Sequence, residues 1–363
     1  MKPNLCSKLT MKGIILISVI SLFSFHSCKQ ATVEDVTFPI EKDLFSESLE
    51  VPPVIFASNP GMVITGKHLI LIEPRADKLF SVFELPDCKY IGGFGVLGRG
   101  PDEFMSINPY TATAISKGIK IFDPNLGLME IDITNFPPEK TFSSSIVVKF
   151  PAILQSIASP FQINDSTICG IPYPQMELRN GQPVTKISSK SYIRFNTNSN
   201  EIDYFGSYPI LYPKKHSDTF WIIFMNMTAV KPDKEKFASV GYNIKFLRIY
   251  NNDGSLSKEL IMKAPDYLLS EEPINRKALI YYDAIKATNE YIYAISEETQ
   301  FDNLLENLPK LEVWDWDGNP VIQFKLDRTV SAFEVTEDDK MIYFIDRQTQ
   351  DRIFTYDLDG LLK

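Results

Sequence analysis

HLILIEPRADKLFSVFELPDCKYIGGFG, residues 68–95, decides the fold. HLILIE (68–73) and KLFSVFEL (78–85) flank the turn PRAD, and KYIGGFG (89–95) follows as a third short strand. A period of two gives a strand with two differently packed faces. Pro, Gly and Asp between such runs are turn residues, so the stretch reads as consecutive antiparallel strands.

The unit recurs. KLFSVFEL is echoed by GLMEIDI (127–133), SYIRFNT (191–197), KFLRIYN (245–251), KLEVWDW (310–316) and DRIFTYDL (351–358), at spacings of 49, 64, 54, 65 and 41 residues. A partner strand precedes most copies: GIKIFD (118–123), STICGI (166–171), FASVGY (237–242), EYIYAIS (290–296) and KMIYFID (340–345). EIDYFGS, LSKELIM and PVIQFKL follow copies as KYIGGFG does. Before each pair stands a short candidate for the innermost strand: GMVITG (61–66), ATAIS (112–116), SIASPFQI (156–163), NMTAVKP (226–232), DAIKATN (283–289) and SAFEVTE (331–337). Repeats of about 40–50 residues with four strands each indicate a β-propeller. The expectation is an all-β, six-bladed propeller with four-stranded antiparallel blades. Seven blades is the alternative, should residues 136–165 hold another. The two wide spacings are assigned to insertions at 172–190 and 298–310. The last copy leaves only DGLLK after it. DVTFPIEKD (35–43) is therefore expected to supply the missing outer strand of the last blade, which would remove an open sheet edge. Residues 37–363 read as one domain.

Composition agrees. Of 363 residues 44% are hydrophobic, which excludes a largely disordered chain. The 25 Phe, 16 Tyr, 24 Pro and 17 Gly suit pleated surfaces and turns better than a helix bundle. The net charge of −9 argues against a nucleic-acid partner, which needs a basic face.

Residues 1–27 carry Lys2, Lys8 and Lys12 and no acid, and GIILISVISLFSF (13–25) is too short for a spanning helix. A basic start, a short apolar run and a small residue before the break read as a secretory signal peptide. Cys28 follows directly, and a Cys there resembles the lipidated first residue of a bacterial lipoprotein. Phe25 and His26 depart from the usual residues before it, and an ordinary signal with an incidental Cys is the alternative. Residues 28–36 then form a tether to a membrane anchor. Without the first 27 residues, 34 cations face 46 acids and the charge is −12. Cys88 and Cys169 remain, and two free thiols are expected rather than a disulfide.

The connection after the first unit, GGFGVLGRGPDEF (92–104), carries a family resemblance. Gly-x-x-Gly-x-Gly-Pro-x-Glu-Phe resembles a motif of the TolB-like and NHL-like six-bladed propeller lipoproteins of Gram-negative bacteria. Glu73 stands where that family's first blade usually has Asp. The resemblance implies a propeller in the cell envelope, as an outer-membrane lipoprotein facing the periplasm or the surface. It adds little about the task. The loop itself has two readings. In one it is a rigid inter-blade crossover, with Phe104 packed between blades. In the other, Arg99, Asp102 and Glu103 stand at a rim where a ligand docks.

Chemistry is sparse. After residue 27 only His68 and His216 remain, and no GxSxG, HExxH or Gly-Lys-Ser/Thr pattern occurs. No CxxC or Cys/His cluster suggests zinc. Tyr208, Tyr212, Phe220 and Trp221 concentrate aromatics in SYPILYPKKHSDTFW (207–221). They read as blade packing or, for Tyr212 and Trp221, as an adaptable binding surface. No cofactor is expected under the leading reading, a non-enzymatic module that binds a protein, peptide or glycan. The alternative is a calcium-assisted hydrolase or lyase, with Asn226, Asp283, Asn289 and Glu334 converging at the channel.

Overall fold

Parity along each strand explains the architecture. Ile70, Ile72 and Val82 pack with Ile119, Ile121 and Met129 on one side. Their chain neighbours Leu69, Leu71 and Phe83 pack with Tyr343, Ile345 and Ile353 on the other. Both faces of the sheet are covered, so its central strands are buried at nearly every position. Each such side chain, fully buried, contributes about 1.5–3 kcal/mol.

The computed structural model describes residues 33–51, 60–100, 102–136, 141–173, 175–179, 182–186, 188–208, 223–264, 278–349 and 351–362. They form six blade sheets with the strand order of a propeller and one separate two-stranded sheet. Blade 1 comprises Gly61–Thr65, His68–Ile72, Phe80–Glu84 and Lys89–Phe94. Blade 2 comprises Thr113–Ile115, Gly118–Asp123, Gly127–Asp132 and Ser143–Lys149. Blade 3 comprises Ile157–Asn164, Thr167–Pro172, Tyr192–Asn196 and Ile202–Phe205. Blade 4 comprises Asn226–Val230, Lys236–Gly241, Lys245–Asn251 and Leu256–Lys263. Blade 5 comprises Leu279–Ala287, Tyr291–Gln300, Lys310–Asp315 and Pro320–Leu326. Blade 6 takes Ala332–Val335, Met341–Ile345 and Ile353–Asp357 from the end of the chain. The first strands of blades 1 and 2, and of 3 through 6 and back to 1, neighbour one another, and the turn Pro109–Thr111 meets the first strand of blade 3. Residues 136–165 hold parts of blades 2 and 3 and no seventh sheet among the described residues.

Closure occurs, but not with the expected residues. The outer strand of blade 6 is Glu47–Leu49, antiparallel to Ile353–Asp357. The segment 35–43 instead crosses the neighbouring blades. Glu41–Leu44 runs parallel to Pro320–Leu326 as a fifth strand of blade 5, and Val33 bridges Ile261 on the outer strand of blade 4. The reason lies in its apolar residues. Phe38 fits edge-on against Trp314 at 4.8 Å, in the crevice between blades 4 and 5. Leu44 packs with Phe324 and Leu326. Only after Ser46, whose amide and hydroxyl both donate to Asp327 at 3.1 Å, does the chain reach blade 6.

The wide spacings are insertions. The first forms the hairpin Gln175–Arg179 and Gln182–Lys186, and the second the 3-10 turn Phe301–Asn303 and the bends after it. Cys88 and Cys169 are free and buried, and burial pushes the Cys88 thiol up to about 12. Neither thiol should react with a soluble disulfide reagent in the native protein at pH 8, and both should in denaturant. Rapid native modification of either would contradict their burial.

Candidate functional site

An antiparallel four-stranded blade puts two kinds of connection at one end: the crossover to the next blade and the turn between its second and third strands. The remaining turns lie at the other end. The ring therefore has a crossover face and an opposite face, and the candidate groups divide between them.

The loop 92–104 lies on the crossover face and is held by its own atoms. The Glu103 carboxylate accepts the Gly100 amide at 2.6 Å, and a side chain on Gly98 would collide with it. Asp102 accepts the amide and hydroxyl of Ser144, on the outer strand of blade 2, at 3.2 and 3.1 Å. Phe104 is fully buried against Phe80 of blade 1. Gly95 has φ +73°, and a Cβ there would meet the Phe80 and Phe104 rings. Arg99 is exposed. Two of the three rim residues thus have structural work inside the crossover.

The four oxygen-bearing residues of the channel do not converge. Asn289 accepts the Asp233 amide at 3.1 Å on the opposite face. Asn226 accepts the Tyr192 hydroxyl at 3.1 Å and donates to the Phe224 carbonyl at 3.0 Å. Glu334 takes the Lys286 ammonium at 2.6 Å, and Lys286 also donates to the Met62 carbonyl, tying together the inner strands of blades 5, 6 and 1. Asp283 is paired with Arg347. Among the described residues no group of three or more His, Cys, Asp or Glu side chains is placed to hold a metal ion. Cys28, Tyr212 and Trp221 lie outside the described residues. Tyr208 is described, and its ring stacks on Phe224 at 5.1 Å.

Asp283 leads to a site that the sequence reading missed. It lies on the first strand of blade 5, on the crossover side. Arg347, in the turn after Met341–Ile345 of blade 6, donates one nitrogen to Asp283 and another to Glu297 at 2.8 Å. The Glu297 side chain is fully buried. Asp283 Oδ1 and Glu297 Oε2 take no donor from any other residue, and the two carboxyls hydrogen-bond to each other, which needs one proton between them. Two carboxylates thus face one guanidinium. Burial, and then the Asp283 charge, push the Glu297 carboxyl up to about 8 against the pull of Arg347. Burial likewise raises Asp283, to about 6. Tyr110 and Tyr242 border the cluster. Both phenols are raised by burial first and by the Asp283 charge second.

The linkage has a definite sign. An acid whose folded pKa stands above its ordinary value of 4.5 stabilises the folded state below pH 4.5 and loses that contribution as pH climbs to about 8. At roughly 1.4 kcal/mol per unit the span is on the order of 5 kcal/mol. Glu297→Gln keeps a neutral side chain at every pH. Its stability relative to the wild type should therefore rise between pH 5 and 8 in urea unfolding. A constant difference would mean that Glu297 is ionised throughout.

The same face carries exposed apolar side chains. Leu97, Met105 and Tyr110 lie between blades 1 and 2, and Met225 directly precedes blade 4. Tyr173 and the trio Phe301, Leu305 and Leu308 follow the second strands of blades 3 and 5. The other exposed large apolar residues lie on the N-terminal strap or the outer strands. The opposite face is polar. Its cleft of about 500 Å³ between blades 3 and 4 is lined by Asn164, Arg194, Asp203 and Asp253 among others. Arg194 is already engaged there by Asp203 and by the Asp253 carbonyl, both at 2.7 Å.

Comparison with known proteins agrees with this architecture. The model of the TolB-like 6-blade propeller-like family matches residues 42–338. No curated protein matches the chain. A Bacteroides vulgatus member of the DUF4221 family superposes with a TM-score of 0.55 at 12% identity, covering 90% of this chain and 98% of its own. A Bacteroides fragilis protein described as exported gives 0.52 at 11% identity, over 87% and 98%. A Xanthomonas campestris gluconolactonase gives 0.45 at 10% identity, over 88% of each chain, too loose a match to argue activity from. At such identities the likeness concerns the fold alone.

Proposed function

Since the chain belongs to the TolB-like six-bladed propeller family, we propose that it is a non-enzymatic binding module of the cell envelope that works through its crossover face. One observation carries the reading. The exposed apolar side chains of the connections and the buried carboxyl pair of Asp283 and Glu297, with only Arg347 to serve both, occupy the same face. An apolar rim with a few convergent polar groups is the usual make-up of a ligand site. The fold by itself would choose no function.

The signal-like segment 1–27 and the Cys at 28 support export and a lipid anchor in the outer membrane. Val33, five residues after Cys28, is already paired with Ile261. An anchor at Cys28 would hold the wall of blade 4 within roughly 18 Å of the bilayer. Thermal unfolding of the mature protein with peptides, glycans, calcium and EDTA tests the reading. A ligand at 100 times its dissociation constant stabilises by about 2.7 kcal/mol. The expected ligand is a peptide or glycan whose effect persists in Asp165→Asn, on the opposite face, and is lost in Tyr110→Ala/Phe301→Ser. Stabilisation by calcium alone, or loss only in the opposite-face variant, would reject it.

A further inference from the structure

We propose that the crossover mouth binds an apolar peptide segment through one ammonium or guanidinium group, which donates to Asp283 Oδ1 and Glu297 Oε2. This rests on the binding-module reading and names its ligand class. Glu297 is fully buried, and neither its Oε2 nor Asp283 Oδ1 takes a donor from any other residue: Arg347 serves the other oxygen of each, and the two carboxyls otherwise have only the proton they share. One shared proton serves two buried acceptors there, whereas an ammonium or guanidinium group carries a donor for each, so the site is suited to receive one. Two carboxylates against one guanidinium also leave room for a second positive charge, which selects a cation over an anion.

The apolar part follows from what surrounds the cluster. Tyr110 is exposed and feels the Asp283 charge. The Met225 carbonyl accepts the Tyr242 amide at 2.8 Å. The Leu305 carbonyl accepts the Gln348 side chain, next to Arg347. Exposed apolar side chains are thus tied by backbone to the polar floor from blades 4 and 5, and Tyr110 reaches it from the connection between blades 1 and 2.

The proton count is fixed by the groups that face one another. Glu297 meets Asp283 on the first strand of blade 5 and Arg347 from blade 6. Tyr110, from the connection between blades 1 and 2, and Tyr242, from the turn of blade 4, feel the Asp283 charge. In the empty site one proton lies between the two carboxylates. The arriving cation takes its place, Glu297 releases that proton to solvent, and charge is conserved. Affinity should then rise about tenfold per pH unit up to the titration of Glu297 and level off above it.

Isothermal calorimetry on the mature protein tests this with capped pentapeptides carrying two apolar residues on each side of a central Lys, Arg, norleucine or Glu. The Lys and Arg peptides are expected to bind at least tenfold tighter than norleucine, tighter at pH 8 than at pH 6, with one proton released on comparing phosphate and Tris. Glu297→Gln mimics the protonated acid and should retain the unfolding midpoint at pH 5 while losing both the cation preference and the proton release. Equal affinity across the series, preference for the Glu peptide, or an unchanged pH profile in Glu297→Gln would overturn the proposal. No binding by any of the four peptides overturns it as well. In that case another ligand whose effect is lost in Tyr110→Ala/Phe301→Ser would leave the crossover-face reading standing. Peptide binding that survives that double variant refutes both.

Discussion

Lys245→Met should lower the stability of the folded protein by about 3–5 kcal/mol, the usual cost of breaking a buried ion pair from one side. Lys245 opens the third strand of blade 4 and reaches into blade 5, where its ammonium lies 2.6 Å from Glu312 and 2.7 Å from Glu298. Glu312 is fully buried. It also accepts the Tyr282 hydroxyl at 2.5 Å and the Gln323 amide at 3.1 Å. Burial opposes the charge on Lys245, yet the two carboxylates outweigh it and its pKa is raised. Take the ammonium away, and Glu312 must either stay charged with only neutral donors or bind a proton.

The measurement is the urea midpoint at pH 7, with the slope unchanged. Lys245→Met/Glu312→Gln removes both charges and should cost less than the sum of the single changes, because the stranded charge is gone. A single-variant loss below about 1 kcal/mol would mean that water reaches Glu312, as at an exposed pair. The contrast with the mouth is instructive. Both Glu312 oxygens are met by donors from other residues, which marks a structural seam between blades 4 and 5. At Glu297 only one oxygen is.

Much of the ring was legible because both faces of each blade are covered. Strands with two apolar faces, separated by turn residues, mark the blades in sequence, and the short runs at 61–66 and 226–232 do lie innermost. The strap was not legible in register. Val36 and Phe38 alternate correctly for a strand, but nothing local says that Phe38 will find the crevice beside Trp314. The acidic floor had a signal that went unread. In YIYAISEE, Tyr293 and Ile295 face blade 6 while Ile292 and Ala294 face blade 4. By the same parity Glu297 and Glu298 must enter opposite seams, and they do, meeting Arg347 and Lys245. An acid at a core parity calls for a partner. Its partner Arg347 is 50 positions away and is brought near only by ring closure. Counting carboxylates without their cations made Asp283 and Glu334 look like ligands for calcium, whereas Arg347 and Lys286 pair with them.

Deleting residues 33–49 should have the larger effect of the two: loss of a monomeric native state. The strap carries the outer strand of blade 6 and the fifth strand of blade 5, and it bridges blade 4 at Val33. Its loss strips Phe38 from Trp314 and Leu44 from Phe324, at about 1.5–3 kcal/mol for each buried side chain. It removes the Ser46 contact with Asp327 and leaves Arg328 without the Ser46 hydroxyl at 2.9 Å. It also bares the edges of Ile353–Asp357 and Pro320–Leu326, and open apolar edges invite strand pairing between molecules. Together these approach the whole stability of an ordinary domain, roughly 5–15 kcal/mol. Size-exclusion chromatography should show oligomers or precipitation, and hydrogen exchange should show lost protection in the outer halves of blades 5 and 6. Leu44→Ala is the graded version: it should cost about 2–5 kcal/mol and stay monomeric, because the backbone pairing survives. A monomer with unchanged midpoint after deletion would mean that the last three strands of the chain close the ring unaided. The geometry argues otherwise, since blade 6 has its full four strands only with Glu47–Leu49 in place.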